Sequence, residues 1–458
     1  MNILILGAGQ VGTTAAYQLA REEANEVTIV DADASKLREL QDRLDVRTVV
    51  GQASFPDVLE RAGARDADMI IALTNSDEVN MVACQIAYTV FGIKTKIARI
   101  RAAEYIRTEE LWKQSAIPVD FLISPEELVT EHIEQLIHYP GAFQVLEFAK
   151  GAVRLVGARA HRGGLLVGQQ IRALKDHIPG IETRIAAVYR DGKSIEPKGS
   201  TLIQEDDEVF FIAARKDIRV VMSEMRKLDD PVRCVVIAGG GNIGFRLALA
   251  LEETNQVKII ELSKTRAREI SERLSKAIVL HGDAADEELL LEENIDTADV
   301  FVALTNAEEA NILSAMLAKR LGCKKVMALI NRPSYADMVE SGSIDVAISP
   351  RQITIGSLLA HVRLGDVVKV HSLRRGRAEA IEAIAHGVAG KSRIVGRSVD
   401  EIPLPPGTSI TVIIRGDQVL QAHHDTIVET DDHLILFITD RRQTDEVERL
   451  FQEEVKFR

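Results

Sequence analysis

The sequence predicts an α/β protein with two tandem Rossmann-like domains, each a doubly wound parallel sheet followed by a small α+β domain. Short apolar runs alternate with amphipathic helical patterns, which is typical of a parallel sheet. A glycine signature that follows a strand and opens a helix occurs twice, and the second half of the 458-residue chain repeats the first. Aromatic residues make up only 4% of the chain, which favours α/β layers over an all-β sandwich.

Each half begins with a dinucleotide-binding fingerprint. Its first glycine permits a tight turn, its second lets the backbone approach a pyrophosphate, and its third lets the helix pack close to the strand. The helix N-terminus then offers N–H groups to the phosphates. An acid at the end of the second strand is expected to bind the ribose hydroxyls and to repel a 2′-phosphate. The predicted cofactor-binding residues are Gly7, Gly9, Gln10, Val11, Gly12 and Asp31 in the first half, and Gly239, Gly241, Asn242, Ile243, Gly244 and Glu261 in the second.

The strands and crossover helices can be placed in order along both copies. The first copy predicts strands at 2–6, 26–30, 47–50, 69–73 and 95–100. The second predicts strands at 234–238, 257–260, 277–280, 299–304 and 325–330. Ile123-Ser-Pro125 and Ile348-Ser-Pro350 then indicate a sixth strand and a helix start, because proline is tolerated in a first helical turn. Helices are expected at 126–138 and 352–363.

The repeat continues through two smaller modules of alternating strands, each closed by an amphipathic helix, at 217–227 and 443–451. Paired acids precede the last strand of each module, where we expect a turn and, as the alternative, a cation site. These pairs are Asp206-Asp207 and Asp431-Asp432. The predicted segments are a nucleotide-binding domain at 1–123, a crossover helix at 124–140 and a small module at 141–229, then the same three at 230–348, 349–364 and 365–458.

One Thr-Asn pair ends the fourth strand of each copy. They are Thr74-Asn75 and Thr305-Asn306. Ligands of an open parallel sheet bind off the carboxyl ends of the strands, beside the first strand. We therefore expect these residues to cap the helix that follows and to hydrogen-bond a phosphate or sugar without adding charge.

The two copies differ at two candidate positions. Arg99 ends the fifth strand, where a guanidinium can neutralise phosphate charge, but its counterpart is the apolar Leu329. Gln52 stands where the second copy has Asp283, which would accept a hydrogen bond from the adenine amine better. The sequence therefore predicts two inequivalent sites. The positions predicted after the third strand are Gln52 and Ala53, and Asp283 and Ala284.

Composition and missing motifs exclude several classes of function. The net charge of −13 argues against nucleic acid or an anionic membrane surface as a partner. No apolar run approaches the roughly 18 to 20 residues of a membrane span. The three cysteines form no CxxC pair, so we expect a reduced cytosolic protein. Because the sequence starts directly with a predicted strand, we expect no signal peptide.

Catalytic groups are scarce as well. The eleven histidines show no metal-ligand spacing, and there is no nucleophile elbow, P-loop or HExxH motif. Two nucleotide folds without a substrate domain favour a sensor over an enzyme. An NAD-dependent oxidoreductase and a structural ring with vestigial sites are the alternatives.

The whole chain resembles a tandem arrangement of two regulator-of-potassium-conductance domains. The motifs that carry the resemblance are Gly7-Ala-Gly-Gln-Val-Gly12, Leu73-Thr-Asn-Ser-Asp-Glu78, Asn80-Met-Val-Ala-Cys84, Ile97-Ala-Arg-Ile-Arg101 and Gly239-Gly-Gly-Asn-Ile-Gly244. The resemblance implies binding of NAD(H) and, in some members, of ATP or ADP. It also implies that the nucleotide is contacted by the glycines, the acids, the Thr-Asn pairs, Arg99 and Asp283. Gln52 and Leu329 depart from the family pattern.

The resemblance also implies a regulatory subunit rather than an enzyme. Such proteins form a homo-oligomeric gating ring, a tetramer, under an integral-membrane potassium channel subunit of the Trk type. The expected location is peripheral, on the cytoplasmic face of the inner membrane, without direct membrane insertion. The crossover helices are expected to hinge and to cross between subunits, with burial inside one domain as the alternative. Their apolar faces are Leu128, Ile133 and Leu136, and Ile355, Leu358 and Leu359.

Overall fold

The computed structural model describes residues 1–21, 25–113, 115–339, 343–362, 367–373, 378–389, 392–416 and 418–451. The chain divides into two compact units. The first contains Met1–Leu128 and Arg351–Val362, and the second contains Val129–Pro350 and Arg363–Arg458. The first unit therefore takes a short segment from the second half of the sequence.

A six-stranded parallel sheet forms the centre of the first unit. Its strands are β1 (Asn2–Leu6), β2 (Glu26–Asp31), β3 (Arg47–Val50), β4 (Met69–Ala72), β5 (Thr95–Arg99) and β6 (Phe121–Ile123). Its helices are α1 (Gln10–Leu19), α2 (Ala34–Gln41), α3 (Pro56–Arg61), α4 (Asp77–Thr89) and α5 (Ala103–Ile106). The strand order is β3-β2-β1-β4-β5-β6, so the winding reverses between β1 and β4. Ligands of doubly wound sheets bind at this reversal.

The first small module is an antiparallel sheet that follows a long helix. Its elements are α6 (Pro125–His138), β7 (Ala142–Phe148), β8 (Val153–Arg159), α7 (Leu174–His177), β9 (Thr183–Arg190), β10 (Lys193–Ile195), β11 (Glu208–Ala214) and α8 (Ile218–Met225). The strand order is β10-β9-β11-β8-β7. The predicted closing helix is present, slightly shorter than the sequence indicates.

The second half repeats the parallel sheet with the order β14-β13-β12-β15-β16-β17. Its strands are β12 (Cys234–Ala238), β13 (Gln256–Glu261), β14 (Ile278–His281), β15 (Val300–Ala303), β16 (Lys325–Leu329) and β17 (Val346–Ile348). Its helices are α9 (Asn242–Leu251), α10 (Lys264–Ser271), α11 (Glu287–Glu292), α12 (Glu308–Arg320) and α13 (Pro333–Val339). The predicted sixth strand and proline helix start are confirmed in both copies.

The second small module repeats the first. Its elements are α14 (Pro350–Val362), β18 (Val367–Leu373), β19 (Ala378–Ile384), β20 (Thr408–Arg415), β21 (Gln418–Gln421), β22 (His433–Ile438) and α15 (Thr444–Leu450). The two small sheets share one buried cluster, in which the rings of Phe210 and Phe437 lie 6.2 Å apart. Nη1 of Arg184 also donates to the carbonyl oxygens of Ile410 and Ala422, so side-chain-to-backbone hydrogen bonds join the two modules.

The crossover helices were expected to cross between subunits, but the structure buries their apolar faces within one chain. Ile355, Leu358 and Leu359 of α14 are at most 4% exposed and belong to the same core as Ile3 and Ile5 of β1. This apolar face is buried inside one chain, because α14 covers the first parallel sheet.

The other crossover helix, α6, behaves in a similar way. Ile133 and Leu136 are fully buried, and Lys325 at the start of β16 donates to the carbonyl oxygen of Leu136 over 3.2 Å. Burial within the chain therefore accounts for most of this apolar face as well, while Leu128 lies against the first core.

The paired acids of the small modules are split between two roles. Asp207 is fully buried and accepts hydrogen bonds from Nε and Nη2 of Arg190, both at 2.7 Å. Asp432 pairs in the same way with Arg415. A planar guanidinium matches a carboxylate in this bidentate geometry. The turn positions with positive φ are occupied by the preceding residues, Asp206 and Asp431.

Candidate functional site

The first glycine loop leaves space for a ligand at only one of its three glycines. Gly7 has φ +103°, and a Cβ there would lie 2.9 Å from the carbonyl oxygen of Leu73. A Cβ on Gly12 would lie 1.9 Å from the carbonyl oxygen of Gly7. A Cβ on Gly9 would meet no atom within 4 Å. Gly7 and Gly12 therefore serve the turn and the helix packing, whereas Gly9 borders open space.

The second loop reproduces this geometry. Gly239 has φ +102°, and a Cβ on Gly244 would lie 2.0 Å from the carbonyl oxygen of Gly239. A Cβ on Gly241 again meets nothing within 4 Å. Both loops thus keep the open face that a pyrophosphate requires.

The open glycine of each loop is also the N-cap of a ten-residue helix. Gly9 precedes α1 and Gly241 precedes α9, and neither cap position provides a side-chain hydrogen bond. The first amides of a helix have no partner within it, so they are available to an anion together with the positive end of the helix dipole. The first two residues of these turns, none of which is buried, are Gln10 and Val11, and Asn242 and Ile243.

Each predicted acid is held beside its loop by backbone amides. Asp31 accepts the amide of Ala8 on Oδ2 at 2.6 Å and that of Asp33 on Oδ1 at 2.8 Å. In the second half, Glu261 accepts the amides of Gly240 and Ser263, both at 2.7 Å. A carboxylate oxygen keeps a second lone pair, so either acid can also accept a ribose hydroxyl.

A buried asparagine on the fourth helix fixes the rim of each site. Asn80 is fully buried, and its Oδ1 accepts both the amide and the hydroxyl of Thr74 at 3.0 and 2.7 Å. Its Nδ2 donates to the carbonyl oxygen of Arg99 at 2.8 Å. Asn80 therefore joins the carboxyl ends of β4 and β5.

The second half has the same bonds. Asn311 accepts the amide and hydroxyl of Thr305 at 2.8 and 2.6 Å and donates to the carbonyl oxygen of Leu329 at 3.1 Å. Sequence reasoning did not identify Asn80 or Asn311 as site-forming residues. Their identical position in the repeated segments was the available signal.

The sequence predicted that the Thr-Asn pairs cap the helices that follow them. The structure shows that this prediction is wrong. Ser76 caps α4 by accepting the amide of Val79 at 3.2 Å, and Ala307 precedes α12 without a side-chain cap. Thr74 and Thr305 are instead bound to the buried asparagines, and the exposed members of the pairs are Asn75 and Asn306.

Arg99 lies at the end of β5, as predicted, and is already paired with an acid. Its Nη2 is 3.7 Å from Oε1 of Glu126 at the start of α6. Burial lowers the pKa of the Arg99 guanidinium, with Glu126 acting in the opposite direction. Among the described residues, its buried Nε has no hydrogen-bond partner. An unsatisfied buried donor at the carboxyl edge of the sheet fits an anionic ligand group.

The positions after β3 and β14 are less alike than the loops. Gln52 and Asp283 are both exposed. Asp283 differs in that its Oδ1 accepts the amide of Ala285 at 2.9 Å, which fixes it in a turn. Ala53 and Ala284 are buried and belong to the cores of the two sheets. Because these two side chains pack in the cores, only the backbone at these positions can face a ligand.

Two features are absent from the described part of the chain. No helix in the described ranges is long and apolar enough to span a bilayer. Within the same ranges, no group of three or more His, Cys, Asp or Glu side chains could hold a metal ion.

Comparison with known proteins gives consistent matches along the chain. Residues 3–125 and 235–350 match the TrkA-N domain, and residues 155–226 and 388–452 match the TrkA-C domain. The Trk system potassium uptake protein TrkA of Halomonas elongata is 58% identical over 452 residues, with 99% of each chain covered. The protein of the same name from Vibrio alginolyticus is 57% identical, again with 99% of each chain covered. Both relatives are named as uptake proteins and not as enzymes.

Solved structures agree on the fold. The GsuK RCK domain matches with a TM-score of 0.62 at 18% identity, covering 98% of this chain and 94% of that one. The GsuK channel bound to NAD matches with a TM-score of 0.61 at 18% identity, covering 98% and 78%. Together with the domain matches and the full-length relatives, this places the chain in the TrkA family of Trk system potassium uptake proteins.

Proposed function

We propose that the chain is a cytoplasmic, peripheral regulatory subunit that binds NAD(H) in both halves and thereby controls a potassium channel subunit in the membrane. ATP and ADP are proposed as further ligands of the first site. The partner is an integral-membrane subunit of the Trk type, and the protein acts as a homo-oligomeric, tetrameric ring.

The observation that carries this proposal is the paired geometry of the two loops. Each has an open glycine at a helix N-terminus and a carboxylate held beside the loop by two amides. The helix amides would hold the pyrophosphate, and Asp31 or Glu261 would hold the ribose. A related fold has been solved as the GsuK channel bound to NAD, which supports this choice of ligand.

The Arg99–Glu126 pair supplies a physical route from the first site to the rest of the chain. A terminal phosphate beside Arg99 would replace Glu126 as the partner of the guanidinium. Glu126 lies in the first turn of α6, and α6 continues from the first compact unit into the second. A ligand shifts an equilibrium only by its difference in affinity for the two states, so nucleotides that differ at this phosphate would differ in effect.

The test measures potassium flux in liposomes that contain the membrane subunit and the full-length chain. Gly9→Asp and Gly241→Asp place a carboxylate where each pyrophosphate is proposed, without a steric clash at Cβ. Flux that responds to NADH with the wild-type chain and not with the double variant supports the proposal. Flux that responds equally with both chains contradicts it.

An NAD-dependent reductase is the rival function, and the names of the relatives do not support it. Incubation of the chain with NADH and a panel of carbonyl compounds would detect it through the loss of NADH absorbance. Saturable turnover would overturn the regulatory assignment.

A further inference from the structure

An arginine contacts the glycine loop of the second half, and the corresponding residue of the first half is not an arginine. Arg266 lies in the first turn of α10, and its Nε donates to the carbonyl oxygen of Gly240 over 2.8 Å. The amide of the same glycine donates to Oε2 of Glu261 over 2.7 Å. The guanidinium and the acid that would hold the ribose therefore contact one and the same loop residue.

The position of this guanidinium is fixed by its neighbours. Its central carbon lies 5.9 Å from the centre of the Phe245 ring, and Nη1 donates to Glu269 over 2.6 Å. The Arg266 side chain is 25% exposed. Among the described residues no acceptor is bound to Nη2, so one corner of the fork can still meet a ligand. A group that is already ordered loses little entropy when it binds.

The lysine at the corresponding position of the first half is not equivalent. Lys36 is the third residue of α2, as Arg266 is of α10, but its ammonium lies 3.9 Å from Asp33 and its side chain is 52% exposed. The residue in the place of Phe245 is Thr13, whose hydroxyl donates to the carbonyl oxygen of Ala8. An exposed lysine paired with another acid does not place its charge at the loop.

This difference bears on the phosphate that distinguishes NADP(H) from NAD(H). That group carries a charge of about −1.5 to −2, and a carboxylate at the end of the second strand repels it. A nearby arginine can accommodate it, because the guanidinium fork matches phosphate oxygens. Resting on the nucleotide-binding function proposed above, we propose that Arg266 lets the second site accept a dinucleotide with a 2′-phosphate on its adenosine, which the first site rejects.

The experiment compares NADH and NADPH binding by calorimetry in full-length chains that keep one site each. The Gly9→Asp chain keeps the second site, and the Gly241→Asp chain keeps the first. We expect NADPH to bind the second site within about tenfold of NADH and the first site at least about 100-fold more weakly than NADH. Arg266→Ala in the Gly9→Asp chain should weaken NADPH more than about tenfold and NADH less than about threefold.

Lys36→Ala in the Gly241→Asp chain is the matched control, and it should leave the NADH-to-NADPH ratio unchanged. Equal ratios at the two sites, or a ratio at the second site that does not respond to Arg266→Ala, would overturn the inference while leaving NADH binding intact. If the Gly9→Asp chain binds neither dinucleotide, the nucleotide function of the second site fails and the inference fails with it. Arg266→Lys separates fork geometry from charge, because it should restore NADPH binding only in part.

Discussion

The two nucleotide modules have the same framework and carry their fixed cations on opposite sides of it. The first has Arg99 at the end of β5, beyond β4 from the glycine loop. The second has Leu329 there and carries Arg266 beside β13, on the other side of β12. The glycines, a carboxylate at the end of the second strand and a buried asparagine occur in both, because they hold the backbone in place. We propose that this shared framework sets where a nucleotide binds and that the cations set which of its phosphates is recognised.

The largest expected effect comes from closing one loop at a time. Gly9→Asp and Gly241→Asp should each weaken NADH about 1000-fold at their own site, roughly 4 kcal/mol, because the carboxylate repels the pyrophosphate. Neither should lower the unfolding temperature, since aspartate is a favoured N-cap and the Cβ meets no atom. Calorimetry and thermal unfolding measure the two effects. Gly9→Ala separates bulk from charge: its methyl group narrows the space for the pyrophosphate without repelling it, so it should weaken NADH by less than Gly9→Asp does.

Removal of the buried asparagines tests the shared framework. Asn80→Ala and Asn311→Ala should each lower the free energy of unfolding by about 2 to 4 kcal/mol, because both leave buried partners unsatisfied. Denaturant unfolding measures the loss, and the exposed Asn75→Ala and Asn306→Ala are the matched controls. A large loss in only one half would show that the two frameworks are not equivalent.

Arg99 tests the phosphate end of the first site. In a chain that carries Gly241→Asp, Arg99→Ala should weaken ATP about tenfold and NADH by less. Leu329→Ala in a chain that carries Gly9→Asp should leave nucleotide affinity within about twofold, because no charge is lost. Equal losses of ATP and NADH on Arg99→Ala would instead indicate a structural role for the Arg99–Glu126 pair.

The smallest expected effect is at the base. Asp283→Asn should weaken NADH at the second site about threefold, because the remaining acceptor oxygen is needed by the amide of Ala285 and an NH2 donor would then face the adenine amine. Gln52→Ala at the first site should change less. Nicotinamide hypoxanthine dinucleotide lacks that amine and should be insensitive to Asp283→Asn. If it is affected as NADH is, Asp283 acts through its turn with Ala285 instead.

The sequence predicted the fold well because its signals are local and occur twice. Strand–glycine–helix spacing located both parallel sheets, and Ile123-Ser-Pro125 located β6 and α6. The packing of α14 on the first sheet depends on contacts far apart in the sequence, which periodicity does not encode. The same limit hid the bidentate Asp207–Arg190 pair.

The site was predicted less completely. Glycines and acids have a fixed spacing, so Gly9 and Asp31 could be placed from the pattern alone. Asn80 was missed because an asparagine inside a helix carries no signal until its partner strands are known. Arg266 was missed because its role depends on a side-chain contact with Gly240. Ser76, not the Thr-Asn pair, caps α4, because the helix begins at Asp77 and not directly after the pair.

We propose that one chain holds two inequivalent nucleotide sites. The most direct measurement is a calorimetric titration of the full-length chain with NADH that reports both stoichiometry and affinity. We expect two NADH per chain with two resolved affinities, one of which should vanish in Gly9→Asp and the other in Gly241→Asp. A single NADH per chain, or two identical sites that are lost together in either variant, would contradict it.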